Sequence, residues 1–144
     1  MAKRLTDTEK WRDPWFYDLS PTDKLLWIYL LDTCDHAGIW KGSWSAVRAH
    51  IGSEKPNMAA FEGRLIPISK DKYFIPKYLS FQYGREWHKS SKVKAVKSAR
   101  IILESLGLTR KAIELTNPMV TLSKELPNHY DNGNGYGNGD GNDI

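Results

Sequence analysis

With only one cysteine, Cys34, the chain has no thiol to pair within itself, which excludes an internal disulfide framework. Long apolar runs are also missing. The longest, Leu25 to Leu31, falls far short of the roughly 20 residues that a membrane span needs. The opening Met1-Ala2-Lys3-Arg4-Leu5-Thr6-Asp7 has no apolar stretch behind its charges, so a secretory leader is not expected. These absences point to the cytoplasm and to no membrane partner.

Catalytic signatures are equally scarce. No GxxxxGK[ST] loop exists to cradle a nucleotide phosphate. Ser, His and Asp residues are scattered without a nucleophile elbow. Cys34-Asp35-His36 invites a metal reading, but His50, His88 and His129 match no zinc spacing, which leaves that trio structural. Near the C-terminus Asn132, Asn134 and Asp143 occupy some positions of a calcium loop, but the bidentate Glu is absent. No carboxylate cluster with metal spacing is seen. The expectation is a protein that is not an enzyme and needs no cofactor or metal.

Aromatics, by contrast, are plentiful. Six Trp, seven Tyr and four Phe lie almost wholly before residue 90, so that stretch should carry the core. At 144 residues the chain fits one domain plus tails, large enough to fold without disulfides or metal. The net charge of +4 conceals an uneven layout. Residues 1–35 hold five basic side chains against seven acidic ones, whereas residues 64–111 hold twelve against three. From Leu126 onward the only charges are Asp131, Asp140 and Asp143. A basic block of this kind is the footprint of a polyanion-binding protein, unless it is merely a solvated face.

Residues 1–19 read as an aromatic N-terminal arm, with Trp11, Trp15, Phe16 and Leu19 expected to pack on the domain. Asp13-Pro14 suits a short helix start. Ser20-Pro21-Thr22-Asp23 caps the first long helix, apolar nearly all round and therefore central, stopping near Asp32 to Asp35. Ile39-Trp40 forms a very short strand. Ser43 caps a helix over Trp44 to Ile51, with Gly52 as its stop. After the turn Ser53-Glu54-Lys55-Pro56 comes a short helical stretch, Asn57 to Glu62, and these two short helices form a helix-turn-helix pattern. Leu65 to Ile68 and Tyr73 to Pro76 read as a hairpin around Ser69-Lys70-Asp71-Lys72, and the prolines mark both strands as edges. Tyr78 to Gly84 packs back against it. A last helix spans Lys89 to Leu106, with Lys94, Lys97 and Arg100 on one arc. Residues 108–125 show no clear period and read as an irregular connector. Residues 126–144 form a low-complexity Gly/Asn-rich tail, expected to be disordered. The fold expected is mainly α with a small β-hairpin wing (α+β), a winged helix-turn-helix over residues 20–107.

Several short segments in order, Leu5-Thr6-Asp7-Thr8-Glu9-Lys10-Trp11, Pro14-Trp15-Phe16, Leu19-Ser20-Pro21, Cys34 to Trp40, Phe74-Ile75-Pro76-Lys77 and Phe81-Gln82-Tyr83-Gly84, resemble a known family. It is the N-terminal domain of phage replication-initiation proteins, the replisome organisers, and the likeness covers about residues 3–107. It implies a winged-helix domain that binds double-stranded DNA at a phage origin, in the cytoplasm of a bacterial host. In that family a C-terminal segment commonly recruits the host helicase or its loader, and origin binders often act as dimers. Here the helix after Pro56 is short and the C-terminal part is only the Gly/Asn tail.

In such a protein Lys55, Asn57 and Arg64 would face base edges in the major groove, because Asn suits adenine and Arg or Lys suits guanine. Asn57 could equally do no more than cap its helix. Lys70, Lys72 and Lys77 would meet phosphates, and Ser43, Ser45 and Arg48 would anchor the preceding helix across the backbone. Lys89, Lys92, Lys94, Lys97 and Arg100 would extend the footprint or hold a second DNA segment. About five neutralised phosphates imply a log K against log salt slope near −4 to −5. The cations between 64 and 111 are expected to gather on one surface beside the helix after Pro56. Two other readings are a transcriptional repressor at an operator and a replisome docking module that uses the aromatic arm.

Overall fold

The computed structural model describes residues 3–52 and 57–116. Proline and capping residues set the first elements. Asp13 accepts from the Trp15 amide ahead of the short helix α1, Pro14–Tyr17, and a 3₁₀ turn, Thr8–Arg12, precedes it. Ser20 Oγ accepts from the Asp23 amide at 3.1 Å and starts α2, Pro21–Thr33. After the turn Asp35–Gly38 come strand β1, Ile39–Lys41, and helix α3, Trp44–Ile51, which Ser43 caps. Gly52 ends α3 with a positive φ of 73°, the left-handed cap that glycine takes without strain.

A 3₁₀ turn, Met58–Phe61, leads to β2, Ile66–Ser69, and β3, Lys72–Phe74; then follow α4, Pro76–Tyr83, α5, Lys94–Ser105, and α6, Thr109–Thr116. The described residues are thus mainly helical around one small antiparallel sheet of order β1-β3-β2.

The register explains how both faces of so small a sheet become buried. Ile39 and Ile66 both pair with Phe74, while Trp40 and Pro67 both pair with Tyr73. Because successive side chains alternate, these two rows point to opposite faces. Trp40 and Tyr73 join Phe16, Leu26, Trp27, Leu30, Val47 and Phe61 in one cluster, built from α1, α2, α3 and the Met58–Phe61 turn. Ile39 and Phe74 join Leu79, Trp87, Ala99, Leu103 and Ala112 in the other, built from α4, α5 and α6. The sheet is the middle layer of three.

Several expectations are revised. The short helical stretch expected over 57–62 is a single 3₁₀ turn, Met58–Phe61, whose apolar side chains are pulled inward. Phe61 is fully buried, and Trp15 Nε1 donates to the Ala60 carbonyl at 2.7 Å. Only β2 of the hairpin is an edge. Pro76 lies outside β3, at the first turn of α4, where no backbone donor is needed, so β3 keeps its donors and takes the centre. The last long helix starts at Lys94, five residues later than expected, because Ser91 Oγ takes the Val93 amide and holds a turn there. Residues 109–116, expected to be irregular, form α6, whose Ala112 is fully buried. The Gly/Asn-rich tail lies outside the described residues.

The arm is part of the fold. Trp15 packs edge-on against Trp27 and Phe61, at centroid distances of 5.1 and 5.8 Å. Arg4 reaches from the arm to the end of α2, where it donates to the carbonyls of Leu31 and Cys34. A cation at a helix C-terminus also meets the negative end of the helix dipole.

Candidate nucleic-acid interface

The turn at the β2–β3 hairpin and the start of α3 meet at one end of the sheet. β1 runs into α3 through Gly42, whose amide donates to the Asp71 carbonyl in the hairpin turn at 3.3 Å. Lys41, the last residue of β1, lies directly opposite Lys72 in β3, and Lys70 sits in the turn itself. Like charges opposed across a strand pair are destabilising by a few tenths of a kcal/mol. Lys41 and Lys70 are exposed, Lys72 is half-buried, and among the described residues none of the three meets a carboxylate.

Ser43 and Ser45 stand beside this group, their hydroxyls 3.0 Å apart, and Ser43 is engaged in capping the Ala46 amide at 3.2 Å. Arg48 is exposed one turn further along α3. The arrangement concentrates positive charge at a helix start, where the backbone dipole adds to it, and so favours an anion. Lys41 escaped sequence reasoning. Its signal was position: it is the final strand residue before Gly42-Ser43, two residues ahead of a helix cap.

The other expected contacts are dispersed. Lys55 lies outside the described residues. Asn57 is exposed but caps the Met58–Phe61 turn, its Oδ1 accepting from the Ala59 amide at 3.2 Å. Arg64 is engaged within the fold: its guanidinium lies 4.0 Å from the Trp15 ring centroid and 3.5 Å from Asp13, tying the arm to the hairpin. An Arg stacked on an indole and paired with a carboxylate has its attractive interactions already satisfied within the fold. Lys77 is exposed on α4, beside the cleft under the arm.

The cations of the last helix lie on the opposite side of the sheet from α3. His36 Nε2 meets Ser98 Oγ at 2.8 Å, which sets the first half of α5 at the turn before β1, away from Lys41 at its other end. Lys92, Lys94 and Lys97 are exposed, and among the described residues none of them meets a carboxylate. Lys89 pairs with Glu86 at 2.6 Å, and this hydrogen bond holds the Glu86 carboxyl below its ordinary range. Arg100 Nη1 donates to the Lys89 carbonyl at 2.9 Å and fixes the loop ahead of α5. The basic residues of 64–111 therefore do not form one surface. They divide among the hairpin end, the cleft under the arm, α5 with the loop ahead of it, and α6, which carries Arg110 and Lys111.

The remaining reactive groups have structural work. Asp35 Oδ1 accepts from the amides of Ala37 and Ile39 at 2.8 and 2.9 Å, closing the turn before β1. Gly38 at its apex has a positive φ, and a Cβ there would meet the Ile75 carbonyl oxygen at 2.8 Å. Burial pushes the Cys34 thiol up to about 12, against the pull of the Arg4 guanidinium beside it. Among the described residues no three His, Cys, Asp or Glu side chains come together as a metal site. Compared with protein-family models, curated proteins and solved structures, the chain matches none of them.

Proposed function

We propose that the protein is a winged-helix DNA-binding protein that grips duplex DNA with its hairpin end, and that it serves phage replication initiation by binding an origin. The observation carrying this reading is Lys41 opposed to Lys72, with Lys70 in the adjoining turn and α3 starting beside them. An electrostatic cost kept at the tip of a hairpin is relieved when phosphates arrive. The order α2, β1, α3, short turn, β2, β3 and the strand order β1-β3-β2 support a wing built on a helix-turn-helix. Since Met58–Phe61 is one turn facing the core, α3 takes the place of the reading element, with Ser45 and Arg48 on its exposed side. The family resemblance supports replication over transcription.

A titration of fluorescein-labelled duplex by anisotropy at 50 and 200 mM salt tests this. Wild type should bind, and the Lys70→Gln/Lys72→Gln pair should lower the salt slope by about 2, since each phosphate contact contributes about 0.9. Equal affinity of variant and wild type at both salts refutes it. Selection from a random duplex pool then separates an origin repeat from an operator.

A docking role has its own support in the cleft of about 110 Å³ under the arm, walled by Trp15, Phe16, Trp27, Tyr78 and Phe81. Leu5 and Trp11 of the arm are 64% and 57% exposed. Under this reading Trp11→Ala abolishes capture of a replisome partner while duplex binding stays intact.

A further inference from the structure

We propose that a cleft beside α5 is a second nucleic-acid site that takes a single-stranded polynucleotide, seating one nucleotide with its phosphate on Lys97 and Arg100 and its base against Ile101. The cleft is an open groove offering about 590 Å³ between the loop carrying Trp87 and His88, the outer face of α5 and Thr109 of α6. A groove open to solvent can seat one nucleotide while the strand continues on either side.

Three observations favour this occupant. Lys97 and Ile101 stand one helical turn apart on the exposed face of α5, and Ile101 is 69% exposed, though folding gives an isoleucine no reason to be there. Among the described residues Lys97 meets no carboxylate, and Lys97 with Arg100 outnumbers Glu104, the one acid lining the cleft. Lys92 and Lys94 continue the positive charge toward the start of α5.

Cations adjoining an apolar wall suit a strand whose bases are free. A duplex shows its phosphates outward and keeps its bases stacked inside, so it cannot lay a base on Ile101, whereas a single strand can. The cleft lies on the opposite side of the sheet from α3, so this inference stands apart from the duplex reading.

Anisotropy with fluorescein-labelled dT15 and rU15 at 100 mM salt, alongside the duplex, tests it with the full chain. Binding of either strand is expected, and the tighter one names the sugar. Lys97→Gln should weaken strand binding about fivefold and reduce the salt slope by about 0.7, the share of one phosphate on a single strand. Lys97→Arg should restore both. Ile101→Ser should weaken binding several-fold with the slope unchanged, because it removes an apolar contact and no charge. All three variants should leave duplex affinity within about twofold, while Lys70→Gln/Lys72→Gln does the reverse. Circular dichroism verifies that each variant is folded. Absence of binding to both strands, wild-type affinity in Lys97→Gln and Ile101→Ser, or equal loss for strand and duplex in every variant overturns the proposal. If duplex binding is absent while strand binding responds to Lys97→Gln, the duplex reading fails and this one stands.

Discussion

Lys41 and Lys72 set stability against binding at a single pair of side chains. Lys72→Glu turns an opposed like-charge pair into an attractive one, worth about 0.5 kcal/mol in a cross-strand position. The same change places a carboxylate where a phosphate should sit. Thermal unfolding should therefore move up slightly while duplex affinity at 100 mM salt falls by about tenfold or more. Cys34 offers a second test. With its thiol pushed up to about 12 by burial, it stays protonated and enclosed at pH 8. A chromogenic disulfide reagent should react with the folded protein only as fast as the chain opens, and at once in denaturant.

Helix starts were the most legible elements in the sequence, and the reason is local. Ser20 and Ser43 each supply an oxygen to an amide three residues on, an interaction decided within one turn of chain. Elements that depend on distant partners were harder to read. α6 is hard to read because Leu108, Ala112 and Ile113 give too short an apolar pattern to stand out until α4 and α5 are there to cover it. α4 carried a readable sign, Pro76 at a first turn, that was masked by assigning the proline to the strand before it. In the candidate interface Lys70 and Lys72 were legible as a hairpin tip. The contact of Arg64 with Trp15 was not legible, because nothing in the sequence states that the ring lies 4.0 Å away.

α5 carries no side-chain cap, since Val93 occupies that position. Val93→Ser should raise stability by about 1 kcal/mol, measured as a shift in the denaturant midpoint at unchanged slope. The loop ahead of α5 also sets a pH response. Burial lowers the His88 pKa from 6.5, so the fold prefers the neutral ring and the unfolded chain takes up the proton first. Stability should hold above about pH 6.5 and decline as the pH falls below it. Glu86, lowered from 4.5 by the Lys89 hydrogen bond, adds a loss in the same direction at lower pH. Denaturant midpoints at pH 7.5 and 5.5 check the first of these, and His88→Gln should flatten the difference.

Across the whole molecule, the sheet binds the two apolar clusters into one cooperative unit, because β3 presents Tyr73 to one and Phe74 to the other. Phe61→Ala removes a fully buried ring that touches both Trp15 and Trp27, a loss of about 3–5 kcal/mol. Tryptophan fluorescence and far-ultraviolet circular dichroism should still unfold together in that variant, at a lower denaturant concentration. Separate transitions would mean that the α5–α6 layer folds on its own.

The grip of Arg4 on the far end of α2 bears on how the protein meets proteases. Trypsin must draw a guanidinium into its own specificity pocket, and that of Arg4 is occupied by the Leu31 and Cys34 carbonyls. Arg12, by contrast, has a side chain 81% exposed and, among the described residues, is held only by Glu9 on the surface. Cutting after Arg4 thus becomes a clock for release of the arm from α2, and timed digestion read by mass spectrometry should show it lagging until the arm lets go.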